Sequence, residues 1–486
     1  MATSISTISI SSLFFACLVS LFLHFLEKGC ALHDENTLQS HHHTLRVSSL
    51  LPASICNSST NGHSKRASSL KVVHKHGPCS HLNLDKASAP TVTQILSDDE
   101  FRVNSIHSQL MSNSSQNSPQ KQDPQANLPV NSGASIGTGN FIVTVGLGTP
   151  KKDLTLLFDT GSDLTWTQCQ PCLGSCYQQQ QPIFDPSEST TYKNISCDSA
   201  ECTQLSSNAG GVFKRCSTST CIYGIQYADQ SYSIGYFSKD TLTLTPTDVL
   251  PNFRFGCGQS NDGLFGGAAG LLGLARNQLS VVSQTSSKYG KYFSYCLPST
   301  SSSTGHLTFG KGGKSNSRSL KFTPFSKNSN NPSFYFIDMT GIKVGGQKLS
   351  IAKSVFDTAG AVIDSGTVIS RLPPAAYGAL RTAFRKLMKD YPMTQPVSIL
   401  DTCYDFSNYN TVSIPKISFY FNRNVEVPID LSGILFGQSV SQVCLAFAGN
   451  SNASSLGIFG NTQQLTLEVV YDVARGKLGF GTRGCS

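Results

Sequence analysis

One phrase is written twice in this chain. Residues 157–167 read LFDTGSDLTWT, and residues 361–368 read AVIDSGTV. Each is an apolar run, then Asp, a small hydroxyl residue, Gly and a second hydroxyl residue. The two acids, Asp159 and Asp364, stand 205 positions apart. An Asp delivered by an apolar strand is costly to bury unless its carboxylate is satisfied. After Asp159, the turn Thr160-Gly161-Ser162 offers hydroxyls and backbone N–H groups to hold that carboxylate. Ser365-Gly366-Thr367 repeats the design after Asp364. Gly permits the bend and a close backbone approach. The plain alternative is two ordinary β-turns with Asp in first position. Two copies at domain-scale spacing, each behind an apolar strand, favour two similar units that bring their carboxylates together.

Two carboxylates about 3 Å apart do not both ionise readily, so such a pair shares one proton and titrates as a unit. One member then serves as general base toward a water while the other serves as general acid. This machinery can add water to a peptide carbonyl with neither a metal nor a covalent intermediate.

The 486 residues exceed a typical single core, so two or three folding units are expected. With 39% apolar and 14% charged residues, and much Gly, Ser and Thr, the composition favours a β-rich class with few short helices. Period-two runs follow residue 139: GNFIVTVGLGTP, KDLTLLFDTG, YFSKDTLTLT and RGKLGFGTRG read as strands. Residues 373–391 read as the one convincing helix, with Pro at its start and Leu380, Phe384, Leu387 and Met388 on one side.

The N-terminus reads differently. Residues 13–26 form an apolar run too short to span a bilayer comfortably, followed by a small-residue site near Gly29–Ala31. That predicts a secretory signal peptide over 1–31. The leading Ser/Thr-rich, acid-free segment has no basic residue, which keeps a chloroplast transit peptide as the alternative. No other segment reads as a membrane span. Residues 32–130 are expected to form a propeptide and linker. Within them LKVVH reads as a strand, and Ile95, Phe101, Val103, Ile106 and Leu110 recur at helical spacing. The Ser/Asn/Gln/Pro-rich stretch that follows reads as a cuttable linker. An ordered segment, a linker and a main body are the layout of a zymogen.

Twelve of the 16 cysteines follow residue 130: Cys169, Cys172, Cys176, Cys197, Cys202, Cys216, Cys221, Cys257, Cys296, Cys403, Cys444 and Cys485. Behind a signal peptide they predict disulfides. Seven lie between 169 and 221, so at least one pairs outside that cluster or stays free. Both spacing and compartment favour disulfides over zinc in Cys169-x2-Cys172-x3-Cys176. Cys403–Cys444 is the favoured single pairing, because both follow the second Asp loop. Asn194 and Asn452 begin glycosylation triplets. Residues 285–353 carry ten Lys/Arg against the single acid Asp338. A solvated face is the favoured reading of that tract, and nucleic-acid binding the less favoured one.

FDTGS and IDSGT, with GLLGL at 270–274 and GIFGNTQQLTLEVVYDVARGKLGF at 457–480, resemble the paired catalytic loops and hydrophobic-Gly segments of the pepsin-like aspartic proteases, in particular the plant nepenthesin-like and chloroplast-nucleoid DNA-binding types. The match covers about 139–486. The resemblance implies a bilobal all-β acid-protease fold, with two β-barrel-like lobes over 131–325 and 326–486 and a cleft between them. It implies Asp159 and Asp364 as the catalytic pair, with Ser162 and Thr367 orienting their carboxylates. It implies a disulfide-stapled insertion at about 169–221 and a flap carrying Tyr227, partnered by Trp166. Ala228 and Gln230 depart from the glycines usual at the flap tip. The implied function is a secreted or vacuolar acid endopeptidase acting on polypeptides, with no cofactor and a monomer as the default. The alternatives are a plastid DNA-associated protease or a catalytically weak inhibitor of the same fold. Plant inhibitors of glycan-degrading enzymes resemble the chain down to its 12 cysteines, but have lost one or both catalytic phrases.

Overall fold

The apolar run ahead of each repeated Asp is a strand buried on both faces. Lys152–Asp159 is buried over its last six residues, and Ala361–Ile363 is buried throughout. Continuous burial, rather than alternation, means that both faces of the strand are covered. The computed structural model describes residues 41–50, 54–57, 68–82, 90–114, 141–206, 212–227, 231–263, 265–311, 320–326, 331–358 and 360–485.

Among the described residues the largest sheet has 15 strands. It holds the strands of the first half, including Phe141–Leu147, Lys152–Asp159, Tyr232–Thr245 and Asp248–Asp262. It runs on through Tyr292–Cys296 and Thr304–Phe309 to Glu468–Asp472 and Lys477–Gly481 at the far end of the chain. The second half adds a five-stranded sheet and two four-stranded sheets. The result is two β-rich lobes sharing one sheet, as the resemblance implies. Phe293 stacks on Tyr471 at 4.4 Å between ring centres, and Tyr335 meets Tyr471 edge-on at 4.6 Å. All three are fully buried, and burying each such ring stabilises the join by on the order of 2 kcal/mol.

Both lobes repeat the same local wiring. Gly270–Gly273 lies parallel to Lys152–Asp159, with Gly273 opposite Asp159. Gly457–Phe459 lies parallel to Ala361–Ile363, with Phe459 opposite Ile363. The GLLGL and GIFG segments thus back the two Asp loops.

Among the described residues two helices are long. Pro374–Leu387 is shorter than the expected 373–391, because its backbone leaves the helical region at Met388. Leu380, Phe384 and Met388 are buried, whereas Leu387, at the last turn of the helix, is 38% exposed. Val92–Ser114 is the longer helix and buries Leu96, Val103 and Ile106. Phe101, expected on its apolar side, is 37% exposed.

The N-terminal segment is built into both halves. Ser69–His74 is inserted in the large sheet between Thr304–Phe309 and Phe141–Leu147. His42–Arg46 pairs with Thr411–Pro415 in the second half.

Seven disulfides join described cysteines. Cys172–Cys176, Cys197–Cys216 and Cys202–Cys221 staple the insertion. Cys169 is the member that pairs outside the cluster, with Cys257. Cys403–Cys444 forms as read from sequence, and Cys296–Cys485 ties the C-terminus down. Cys56–Cys79, not singled out from sequence, crosslinks the N-terminal segment. Among the described residues no helix is long and apolar enough to cross a membrane, and no three His, Cys, Asp or Glu cluster in a metal-binding arrangement.

Several sequence readings lie outside the described residues: the apolar run 13–26 with its small-residue site, the linker after residue 114, and Ala228 and Gln230. So do Lys314, Arg318 and Lys327 of the basic tract. Of its other cations, Lys288 pairs with Asp248, Lys343 with Glu426 and Lys353 with Asp357.

Candidate active site

Each Asp leaves a buried strand and enters a turn that supplies its own hydrogen bonds. Ser162 Oγ donates to Asp159 Oδ2 at 2.5 Å, and the Gly161 N–H donates to Asp159 Oδ1 at 2.9 Å. Thr367 Oγ1 donates to Asp364 Oδ2 at 2.6 Å, and the Gly366 N–H donates to Asp364 Oδ1 at 3.3 Å. The third residue after each Asp therefore holds the outer oxygen, and the glycine holds the inner one.

Thr160 and Ser365 do something different from the carboxylate support read from sequence. The Thr160 N–H donates to Ser365 Oγ at 3.0 Å, and the Ser365 N–H donates to Thr160 Oγ1 at 2.9 Å. These reciprocal bonds tie one loop to the other across the lobes, and both residues are buried. Behind the second loop, Asn461 Nδ2 donates to the Ser365 carbonyl and Gln464 Nε2 to the Asp364 carbonyl.

Gly161 and Gly366 serve space rather than backbone conformation, since neither has a left-handed φ. A Cβ on Gly161 would stand 2.8 Å from Asp364 Oδ1. A Cβ on Gly366 would stand 2.3 Å from the Arg102 guanidinium carbon. Any side chain at either position would fill the ground between the two carboxylates.

Arg102 fills that ground. From helix Val92–Ser114, its Nη2 donates to Asp159 Oδ1 at 2.6 Å and to Asp364 Oδ1 at 2.9 Å, while its Nε donates to Asp364 Oδ2 at 2.8 Å. One nitrogen thus touches the inner oxygens of both acids. The Asp side chains are 3% and 0% exposed. Burial alone would push both carboxyls up. At Asp364 the Arg102 charge and hydrogen bonds, with the Thr367 hydroxyl, outweigh burial and hold the carboxyl below the usual range. At Asp159 burial wins over Arg102, the Asp364 charge adds to it, and the carboxyl is pushed up. Asp159 is therefore the member that takes up a proton first.

The same helix makes a second acidic contact. Asp99 Oδ1 accepts from the Val368 N–H at 2.5 Å; its Oδ2 accepts from the Ile369 N–H at 3.0 Å and from Arg371 Nη1 at 3.0 Å. Sequence reading missed Arg102, Asp99 and Arg371. An Asp-Asp-Glu-Phe-Arg run on a helix ordinarily marks a solvated face. Only the spacing of three between Asp99 and Arg102, one helical turn, shows that they share a side.

Tyr227 stands where the strand Thr220–Gln226 turns toward Tyr232–Thr245, with Gln226 opposite Tyr232. Its hydroxyl accepts from Trp166 Nε1 at 3.1 Å, as read from sequence. Trp166 is fully buried, edge-on to Phe265 at 4.9 Å. Asn194 and Asn452 are exposed.

Two β-rich lobes, each carrying an Asp loop backed by a parallel hydrophobic-Gly strand, define the pepsin-like acid-protease fold. Comparison with known proteins bears on which branch this is. Family profiles described as xylanase inhibitor N-terminal and xylanase inhibitor C-terminal match residues 141–311 and 334–482. An aspartyl protease family protein of Arabidopsis thaliana is 56% identical over 91% of this chain and 93% of its own length. Aspartyl protease AED1 of the same plant is 50% identical over 91% and 92%. Aspartic proteinase nepenthesin-2 of Nepenthes gracilis is 34% identical over 79% and 84%. Among solved structures, conglutin gamma, a basic 7S globulin from lupine seeds, superposes with a TM-score of 0.56 at 21% identity, covering 70% of this chain and 91% of its own. At that identity the likeness speaks to the fold alone. The chain belongs to the plant pepsin-like aspartyl protease family.

Proposed function

We propose that this protein is an aspartic endopeptidase made as a zymogen, with Asp159 and Asp364 as its catalytic pair. The observation that carries the reading is Arg102 Nη2 bonded to the inner oxygens of both acids. A cation from the N-terminal segment occupies the spot where a water shared by two carboxylates would act. On this reading residues 1–31 are a signal peptide, 32–130 a propeptide and linker, and the lobes span 131–325 and 326–486. The exposed Asn194 and Asn452 carry glycans, and the seven disulfides suit the secretory route, to the apoplast or the vacuole.

Once the helix departs, the two inner oxygens are free to hold one water and share one proton. The ionised carboxylate takes a proton from that water as its oxygen bonds to the peptide carbonyl carbon. The protonated partner gives its proton to the carbonyl oxygen. Collapse of the resulting diol breaks the C–N bond, the amine leaving with a proton. Ser162 and Thr367 fix the outer oxygens, so proton traffic stays on the inner pair. The Trp166 indole holds the Tyr227 hydroxyl, and with it the base of a hairpin that closes over the substrate. Because the pair must keep one proton, the optimum is acidic.

A non-catalytic binding role, which the xylanase-inhibitor descriptions bring to mind, has the weaker support, since both Asp loops are intact and hydrogen-bonded alike. The test is hydrolysis of a denatured protein at about pH 3–5 after acid treatment, with and without pepstatin, by the wild type and by Asp159→Asn and Asp364→Asn. Loss of at least about a hundredfold in each variant is expected, the scale of positioned acid–base catalysis. Undiminished cleavage by both variants would remove the assignment.

A further inference from the structure

The contact between Asp99 and Arg371 lies apart from the catalytic pair, yet it is the more deeply buried of the helix's two acidic contacts. Arg371 lies on the strand Ser370–Leu372, seven residues after Asp364. It is 2% exposed. Its Nη1 donates to the Ile369 carbonyl at 2.8 Å, within its own strand segment, which keeps the guanidinium in place whether or not the helix is docked. Among the described residues its ion pairs are with Asp99 and Glu100, both on the helix. When the helix leaves, Arg371 keeps its position and loses both carboxylates. The Val368 and Ile369 N–H groups lose their acceptors with it.

From this geometry we infer that Arg371, with the Val368 and Ile369 amides, forms a subsite for an acidic side chain of the substrate, and that Asp99 occupies it in the intact chain. The inference rests on the endopeptidase reading above and adds a substrate preference to it. A buried cation stripped of its partner favours whichever ligand restores a carboxylate and disfavours an uncharged isostere. The position follows from the helix. Asp99 is three residues from Arg102, about 4.5 Å along the axis. An extended peptide advances about 3.3 Å per residue. With Arg102 over the catalytic pair, the acidic residue falls one or two positions from the bond that is cut. Arg suits this role because its planar fork meets a carboxylate with two donors.

The test starts from the full-length protein, acid-treated below about pH 4 until the N-terminal segment carrying the helix has been cut away, and profiles the cuts it then makes in a denatured protein mixture at about pH 5, where a free glutamate is ionised. Fluorogenic peptide pairs differing only as Glu or Gln at each position within two residues of the cut give the ratio of kcat/KM. The wild type should enrich Asp and Glu at one such position and favour the Glu peptide by about tenfold or more, the scale of one charge-assisted pair. Arg371→Gln should bring that ratio to about one while the other side-chain preferences persist. Arg371→Lys, which keeps the charge but not the fork, should keep part of it. Cleavage by the wild type without acidic enrichment overturns this inference alone, as does an unchanged ratio in Arg371→Gln. Absence of any cleavage overturns the endopeptidase reading and this inference with it.

Discussion

Arg102 and Asp364 form a two-point ion pair, Nε to Oδ2 at 2.8 Å and Nη2 to Oδ1 at 2.9 Å, across 262 residues of chain. The Arg102 side chain is 14% exposed and that of Asp364 is fully buried. Removing one member of a buried pair leaves the other uncompensated, at a cost of about 3–5 kcal/mol. Arg102→Ala should therefore loosen the helix on the intact chain. The full-length variant should hydrolyse a peptide substrate without acid treatment, while the wild type stays latent. Equal latency of the two proteins would show that Arg102 does not block the site.

The pH at which the helix releases follows from three carboxyls. Asp364 is held below its ordinary 3.8, so its contribution to docking is complete above about pH 4 and is lost as the pH falls through the lowered value. Asp159 likewise holds the helix only while ionised, since burial pushes its carboxyl up and the Arg102 charge works against that push. Asp99, pushed up chiefly by its burial on docking, runs the other way, and its share of docking weakens as the pH rises through the raised value. The helix should thus remain seated through mild acid and release below about pH 4, when Asp364 takes up its proton. Limited proteolysis of residues 90–114 across a pH series reads this directly. A release midpoint above pH 5 would contradict it. Asp364→Asn should release the helix at every pH.

The bonds between Thr160 and Ser365 hold the two loops in register. Ser365→Ala removes the acceptor of the Thr160 N–H and leaves that buried donor unpaired, at about 1–3 kcal/mol. A melting temperature lower by several degrees is expected, roughly 2–4 °C per kcal/mol at a domain size of 150–250 residues. Thr160→Val should cost a similar amount by removing the acceptor of the Ser365 N–H. Differential scanning fluorimetry of each variant measures it, and unchanged melting in both would show that the tie contributes nothing.

Trp166→Phe keeps the packing against Phe265 but removes the indole N–H that reaches Tyr227. The fold should survive with a small change in melting. The kcat/KM of the activated protein should fall by about tenfold, the weight of one hydrogen bond that orders the hairpin base. Tyr227→Phe should give a comparable loss, and the double variant little more than either alone, because the two changes break one bond.

Much of the site was legible in the sequence because its information is local. An apolar run ending in Asp, with a hydroxyl residue three positions on, specifies a strand, a turn and a hydrogen bond within a few residues. Ser162 and Thr367 accordingly do what their spacing predicts. The Cys403–Cys444 pairing was legible from the place of both cysteines after the second Asp loop, whereas the Trp166–Tyr227 bond was legible only through likeness to a family, since nothing local ties residues 61 positions apart.

Thr160 and Ser365 show where local reading stops. Both sit in the same turns as the correctly read hydroxyls, but their side chains reach across to the other loop. Arg102 goes further: on a helix wheel it belongs to a polar face that water would cover equally well. Strand and turn chemistry were thus set by neighbours along the chain, which is why the amino-acid order alone determined the two Asp loops and the β-rich segments around them. Which surface each lobe turned to the other, and which helix face lay in the gap, were decided by tertiary packing. Coulomb pairing between residues hundreds of positions apart leaves no periodicity to read, and that packing set Arg102 against the acids and Asp99 against Arg371.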